Sequence, residues 1–98
     1  MMEDKLKLYL KTMISNSGSD LHLKSGSQVR VRIQGVLQVL GQDALSAEMM
    51  DKLAREITTQ DQYEQLKTDR NLDFSYVLGE EHRFRVNFFF QMDGLSAV

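Results

Sequence analysis

Val29-Arg30-Val31-Arg32-Ile33-Gln34-Gly35-Val36-Leu37-Gln38-Val39-Leu40 is the stretch that decides the fold. Val29, Val31 and Ile33 alternate with Arg30 and Arg32, which gives one apolar and one cationic face, the pattern of a half-buried strand. Gln34-Gly35 is a two-residue turn of the kind that favours primed hairpins, and residues 36–40 return antiparallel. Such a hairpin needs a core on its apolar side, and the flanking segments supply one.

Upstream, Leu6, Tyr9, Leu10, Met13 and Ile14 fall at i, i+3, i+4, i+7 and i+8, the stripe of an amphipathic helix. Glu3 and Asp4 suit its N-terminal dipole. Asn16-Ser17-Gly18-Ser19 ends it, with Gly18 expected in the left-handed conformation. Asp20-Leu21-His22-Leu23 is a short strand with Leu21 and Leu23 on one face and Asp20 and His22 on the other.

Downstream, Ser46 caps a helix in which Met49, Met50, Leu53, Ala54 and Ile57 share a face. Thr59 and Gln62 form the capping box of a short third helix whose apolar contacts are Tyr63 and Leu66. A second hairpin follows. Leu72, Phe74, Tyr76 and Leu78 alternate with Asp73, Ser75 and Val77, residues 79–82 turn, and Arg83-Phe84-Arg85-Val86-Asn87-Phe88-Phe89-Phe90-Gln91-Met92-Asp93-Gly94 returns. Leu95-Ser96-Ala97-Val98 then reads as one more strand. The order α-β-β-β-α-α-β-β-β, with helices segregated from an antiparallel sheet, is the α+β class.

The 98 residues make one domain, residues 1–98, and a chain of this size buries about 60–65% of its unfolded surface. A net charge of −2 exerts no general attraction on nucleic acid, so no nucleic-acid partner is expected. The absence of cysteine excludes disulfides and thiolate metal sites. Charges run throughout residues 1–14, unlike a secretory signal, and no stretch approaches the roughly 18 apolar residues of a membrane span. A cytoplasmic location is the expectation. The chain stops within its last strand, so the expectation is a fragment of a longer protein.

Nothing matches the phosphate-binding loop G-x-x-x-x-G-K-[ST], so the chain alone is not expected to hydrolyse ATP, and no catalytic residue or cofactor is assigned to it. Asp20 and His22 share a strand face, which permits a carboxylate-oriented imidazole; the plainer role is a hydrogen bond tying the strand to a neighbouring loop. A metal site wants three or four converging ligands, and none is expected. Arginines are the main concentration of charge. Arg30 and Arg32 share one strand face, Arg83 and Arg85 another. The guanidinium fork suits phosphate, whereas a solvated sheet face would pair the same residues with cross-strand partners such as Asp73. Alternation puts Phe89 on the face opposite Phe88 and Phe90, so either a helix or a partner must cover the second face; all three are interface candidates.

Three ordered motifs carry a resemblance: Ser19-Asp20-Leu21-His22-Leu23, then residues 29–37, then Arg83-Phe84-Arg85-Val86-Asn87 with Gln91, Gly94 and Ala97-Val98. Together they resemble the N-terminal domain of the secretion ATPase superfamily, most closely its type IV pilus retraction (twitching-motility) branch. In these motifs Asp20, His22 and Asn87 stand as structural residues. The resemblance implies a PAS-like antiparallel sheet flanked by helices, followed in the whole protein by a RecA-like ATPase domain that binds ATP and Mg.

It further implies a homohexameric ring in which this domain packs on RecA-like domains of its own and neighbouring subunits. The ring would stand in the cytoplasm at the inner-membrane pilus base, against the platform machinery. Arg85 matches a family arginine that approaches the nucleotide's phosphates; its companion would lie just beyond Val98. Arg83, Arg30 and Arg32 are weaker candidates. A type II secretion or pilus-assembly ATPase and a stand-alone PAS-like ligand sensor are the alternatives. As a fragment, the chain is expected to dimerise through an unpaired final edge strand.

Overall fold

At Gln34 and Gly35 the chain reverses with both residues at positive φ, 51° and 79°, the primed turn that two-residue hairpins favour. The computed structural model describes residues 2–91 and 94–97, the side chains of Gln42, Gln91 and residues 94–97 aside. The elements are α1 (Met2–Ser15), β1 (Gly18–Lys24), β2 (Gln28–Ile33), β3 (Val36–Ala44), α2 (Ala47–Ile57), α3 (Gln60–Asp69), β4 (Asn71–Leu78), β5 (His82–Gln91) and β6 (Gly94–Ala97). This is the expected order and class, and it fits a PAS-like domain. Among the described residues, no helix is long and apolar enough to cross a membrane.

The helix boundaries follow from local chemistry. Ser46 Oγ accepts from the Met49 N–H at 3.1 Å and starts α2. Thr59 and Gln62 exchange both bonds of a capping box at the start of α3. Arg70 ends α3 in the left-handed conformation (φ 64°), its N–H reaching the Leu66 carbonyl at 2.9 Å.

At the end of α1 the left-handed residue is Ser17 (φ 56°), not the expected Gly18. The helix closes one residue early because the Asn16 and Ser17 N–H groups reach back to Thr12, Met13 and Ile14. Gly18 is instead a packing glycine that opens β1. A Cβ there would lie 2.6 Å from Met13 Cγ and 3.2 Å from the Arg32 carbonyl oxygen.

The six strands form one sheet in the order β3-β2-β1-β6-β5-β4. The final strand is therefore not an edge, as had been expected. β6 lies between the two hairpins and pairs antiparallel with β5 over Gly94–Ala97 and with β1 at Ser96 and Ala97. The edges are β3 and β4.

One face of the sheet carries the core. Leu21, Leu23, Val29, Val31, Leu72, Tyr76, Leu78 and Phe88 are buried there against Leu6, Leu10 and Met13 of α1, Met50 and Leu53 of α2, and Leu66 of α3. Each large apolar side chain so buried contributes about 1.5–3 kcal/mol. A hydrogen bond from Tyr76 Oη to Glu3 Oε2 (2.8 Å) pins the start of α1 to β4. Burial, then that bond, pushes the phenol's pKa upward. All three helices bury residues in this one core, so among the described residues no helix covers the opposite face of the sheet.

Candidate functional site

The uncovered face is built by alternation. Along β5 the residues pointing away from the core are Arg83, Arg85, Asn87 and Phe89; along β4 they are Asn71, Asp73, Ser75 and Val77. Arg85 stands opposite Ser75 and Asn87 opposite Asp73, yet each side chain reaches two residues back along β4. Arg85 donates from Nε to Asp73 Oδ1 at 3.2 Å and from Nη2 to Oδ2 at 2.6 Å. Asn87 Nδ2 donates to Asn71 Oδ1 at 2.7 Å. The two diagonals run parallel and lock the outward side chains into one layer.

The Arg85 side chain remains 84% exposed although it is held at two points. Its hydrogen bonds, above all, hold the Asp73 carboxyl below the ordinary carboxylate range. Two of the five guanidinium N–H groups serve Asp73, which leaves the Nη1 edge open to solvent. That edge is a preset donor pair for an incoming oxyanion.

The β1–β2 half of the face is arranged differently. Asp20 lies directly opposite Arg32, with Oδ2 3.4 Å from Arg32 Nε, and also accepts from Ser19 Oγ at 3.1 Å. Asp20 is thus engaged by an arginine and does not orient His22. His22 lies opposite Arg30, and its Nε2 is buried without a hydrogen-bond partner, so the expected bond from His22 to a loop is not made at that atom. Arg30 and Arg83 have no ion-pair partner among the described residues. In the sheet order β1 and β6 lie between β2 and β5, although among the described residues β6 pairs with β5 at Phe88 to Gln91 and not at Arg83 or Arg85.

The three phenylalanines part company. Phe88 is fully buried and stacks on Phe74 with ring centroids 5.8 Å apart, so it belongs to the core and leaves the interface set. Phe90 faces the same side, with the Arg70 guanidinium 4.3 Å from its ring centre. Phe89 alone lies on the uncovered face, half-buried beside Asn71.

One feature had no signature in the sequence. Among the described residues, β6 pairs with β5 from Phe88 to Gln91 and with β1 at Leu23 and Lys24. Residues of β1 and of the first half of β5 line one cavity. This cavity of about 760 Å³ is floored by Leu6, Leu10 and Met13 and opens beside Arg85.

No protein-family model matches the chain, and no curated protein matches it in sequence. Solved structures do. The pilus retraction motor PilT with bound ADP superposes with a TM-score of 0.83 at 28% identity, over 93% of this chain and 27% of that one. The Legionella pneumophila ATPase DotB gives 0.74 at 19% identity, over 93% and 27%. The Yersinia pseudotuberculosis ATPase DotB gives 0.76 at 18%, over 97% and 28%. The chain therefore spans about a quarter of the length of the structures it matches. The resemblance to pilus and secretion ATPases is borne out: this chain has the fold of a domain that such ATPases contain.

Proposed function

We propose that this chain is the N-terminal, PAS-like domain of a hexameric motor ATPase of the pilus-retraction branch, and that its uncovered sheet face packs on RecA-like domains with Arg85 directed at nucleotide phosphate. The observation that carries this reading is the 84% exposure that the Arg85 side chain keeps while held by Asp73, a pair that a solvated sheet face would make as well. A guanidinium that is both fixed at two points and open to solvent, on a sheet face without helices, is prepared for an anion outside its own domain. The higher identity to the pilus motor than to the secretion ATPases supports the retraction branch.

The chain's own residues fit one part of a nucleotide site. The sequence lacks a phosphate-binding loop, so ATP and its Mg would be held by the ATPase domain, which supplies the phosphoryl-transfer chemistry. Arg85 adds a positive charge where negative charge develops on the transferred group, and Asp73 sets its direction. The assembly would work in the cytoplasm, at the inner-membrane base of the pilus.

Hydroxyl-radical footprinting of the full-length ring and of this chain alone tests the docking. Phe89, on the uncovered face, should lose reactivity in the ring to a greater extent than Leu8 on the helical side. Equal reactivity of Phe89 in both forms would exclude this face as the contact.

The cavity favours a second reading, a ligand-binding PAS-like sensor, because about 760 Å³ lies within the usual range for small-molecule sites. A native mass spectrum showing the bare polypeptide alone would count against it.

A further inference from the structure

The sheet has two edges, and they differ in kind. The outward-pointing residues of β4 include Asn71, Asp73 and Ser75, and an ion pair crosses to its neighbour. β3 has no such protection: from Val36 to Gln42 it carries no charge. Val36, Leu37 and Val39 are 58%, 42% and 52% exposed. An uncharged apolar edge of this length is a template for strand pairing.

The hairpin geometry shows which main-chain groups are available. In a two-residue hairpin the pair flanking the turn, here Ile33 and Val36, exchanges both hydrogen bonds, and bonded pairs then alternate with non-bonded ones. Val31–Gln38 is the next bonded pair. Arg32–Leu37 and Arg30–Val39 are non-bonded, so the N–H and C=O of Leu37 and Val39 point out of the open edge. The two residues that offer free main chain are thus also those that expose apolar side chains on the face without helices.

We propose that β3 pairs antiparallel with β3 of a second copy of this chain, about a two-fold axis at Gln38, and joins two six-stranded sheets into one. The sequence of the strand is self-complementary in that register. Leu37 meets Val39 of the other copy on the uncovered face, twice by symmetry, and both pairs exchange main-chain hydrogen bonds. On the helical side Val36 meets Leu40, and the exposed Gln38 amides meet on the axis, each with donor and acceptor. Apolar stands on apolar and amide on amide, with no charge on charge, which is the requirement of an isologous contact. This pairing does not rest on the ATPase reading.

Gln38→Cys tests the register directly, because the chain has no other cysteine. Non-bonded partners in an antiparallel pair lie about 4.5 Å apart at Cα, within disulfide reach. Mild oxidation by oxidised glutathione should give a disulfide dimer with Gln38→Cys and none with Ser75→Cys on the β4 edge. Sedimentation of the unmodified chain at rising concentration should show a monomer–dimer equilibrium. Leu37→Lys with Val39→Lys, at exposed positions outside the core, should weaken it by about thirtyfold or more while the far-ultraviolet circular dichroism stays unchanged. A monomer at every concentration would overturn the proposal. So would a dimer of undiminished affinity in the double-lysine variant, or equal cross-linking from Ser75→Cys.

Discussion

Replacing Phe88 by alanine should be among the most damaging single truncations in the domain, and the same change at Phe89 nearly silent. Phe88 is fully buried and stacks on Phe74 at 5.8 Å with 17° between ring planes. A buried Phe→Ala change costs about 3–5 kcal/mol, of which the aromatic pair accounts for roughly 0.5–1.5. A domain of 98 residues has about 5–15 kcal/mol in all. With a urea m-value of about 1.5 kcal/mol/M, the midpoint should fall by roughly 2–3 M at unchanged m. Phe89 lies on the face without helices and should move the midpoint by less than about 0.5 M. Urea titration followed by circular dichroism reads both. Equal losses at the two positions would mean that the assignment of faces along β5 is wrong, and with it the placement of Arg85.

Two further outcomes follow from local geometry. Gln34 holds a positive φ of 51° at the first turn position, which costs a non-glycine residue about 1 kcal/mol; Gln34→Asn should raise stability by about 0.5–1 kcal/mol in the same titration. The Asp73 carboxyl should titrate by NMR below its ordinary value, because Arg85 bonds its charged form, and Arg85→Ala should return it to the ordinary range. The sign follows from the lowered folded-state pKa: the pair's contribution to stability is present above the unfolded-state value and is lost as the pH falls through the lower folded-state one.

What the sequence made legible was local. The Gln34-Gly35 turn, the Ser46 cap and the Thr59–Gln62 box each depend on residues a few positions apart, and each has its bonds in the structure. Alternation along β5 puts Arg83 and Arg85 on one face and Phe89 opposite Phe88 and Phe90, and the register with β4 agrees. Long-range choices left no such trace. That β6 enters the middle of the sheet depends on pairing with β1, some 70 residues earlier, and put the edges at β3 and β4 instead. The bond between Tyr76 and Glu3 is equally distant. A glycine after a helix suggests a left-handed cap because helix ends commonly use one, whereas the lack of a side chain at Gly18 is needed for contact with Met13 and Val31. At the candidate site the arginine was visible in the motif and its carboxylate partner only as one option among several. The diagonal that joins them depends on the register between β4 and β5, which fixes their reach.

The most direct test of the proposed role is the turnover number of the full-length protein at saturating ATP with Arg85→Ala, alongside the native mass of the ring. The account predicts a loss in kcat of about a hundredfold with an intact hexamer, and little rescue by Arg85→Lys, which cannot make the two-point bond to Asp73. Wild-type kcat in an intact Arg85→Ala hexamer would contradict it.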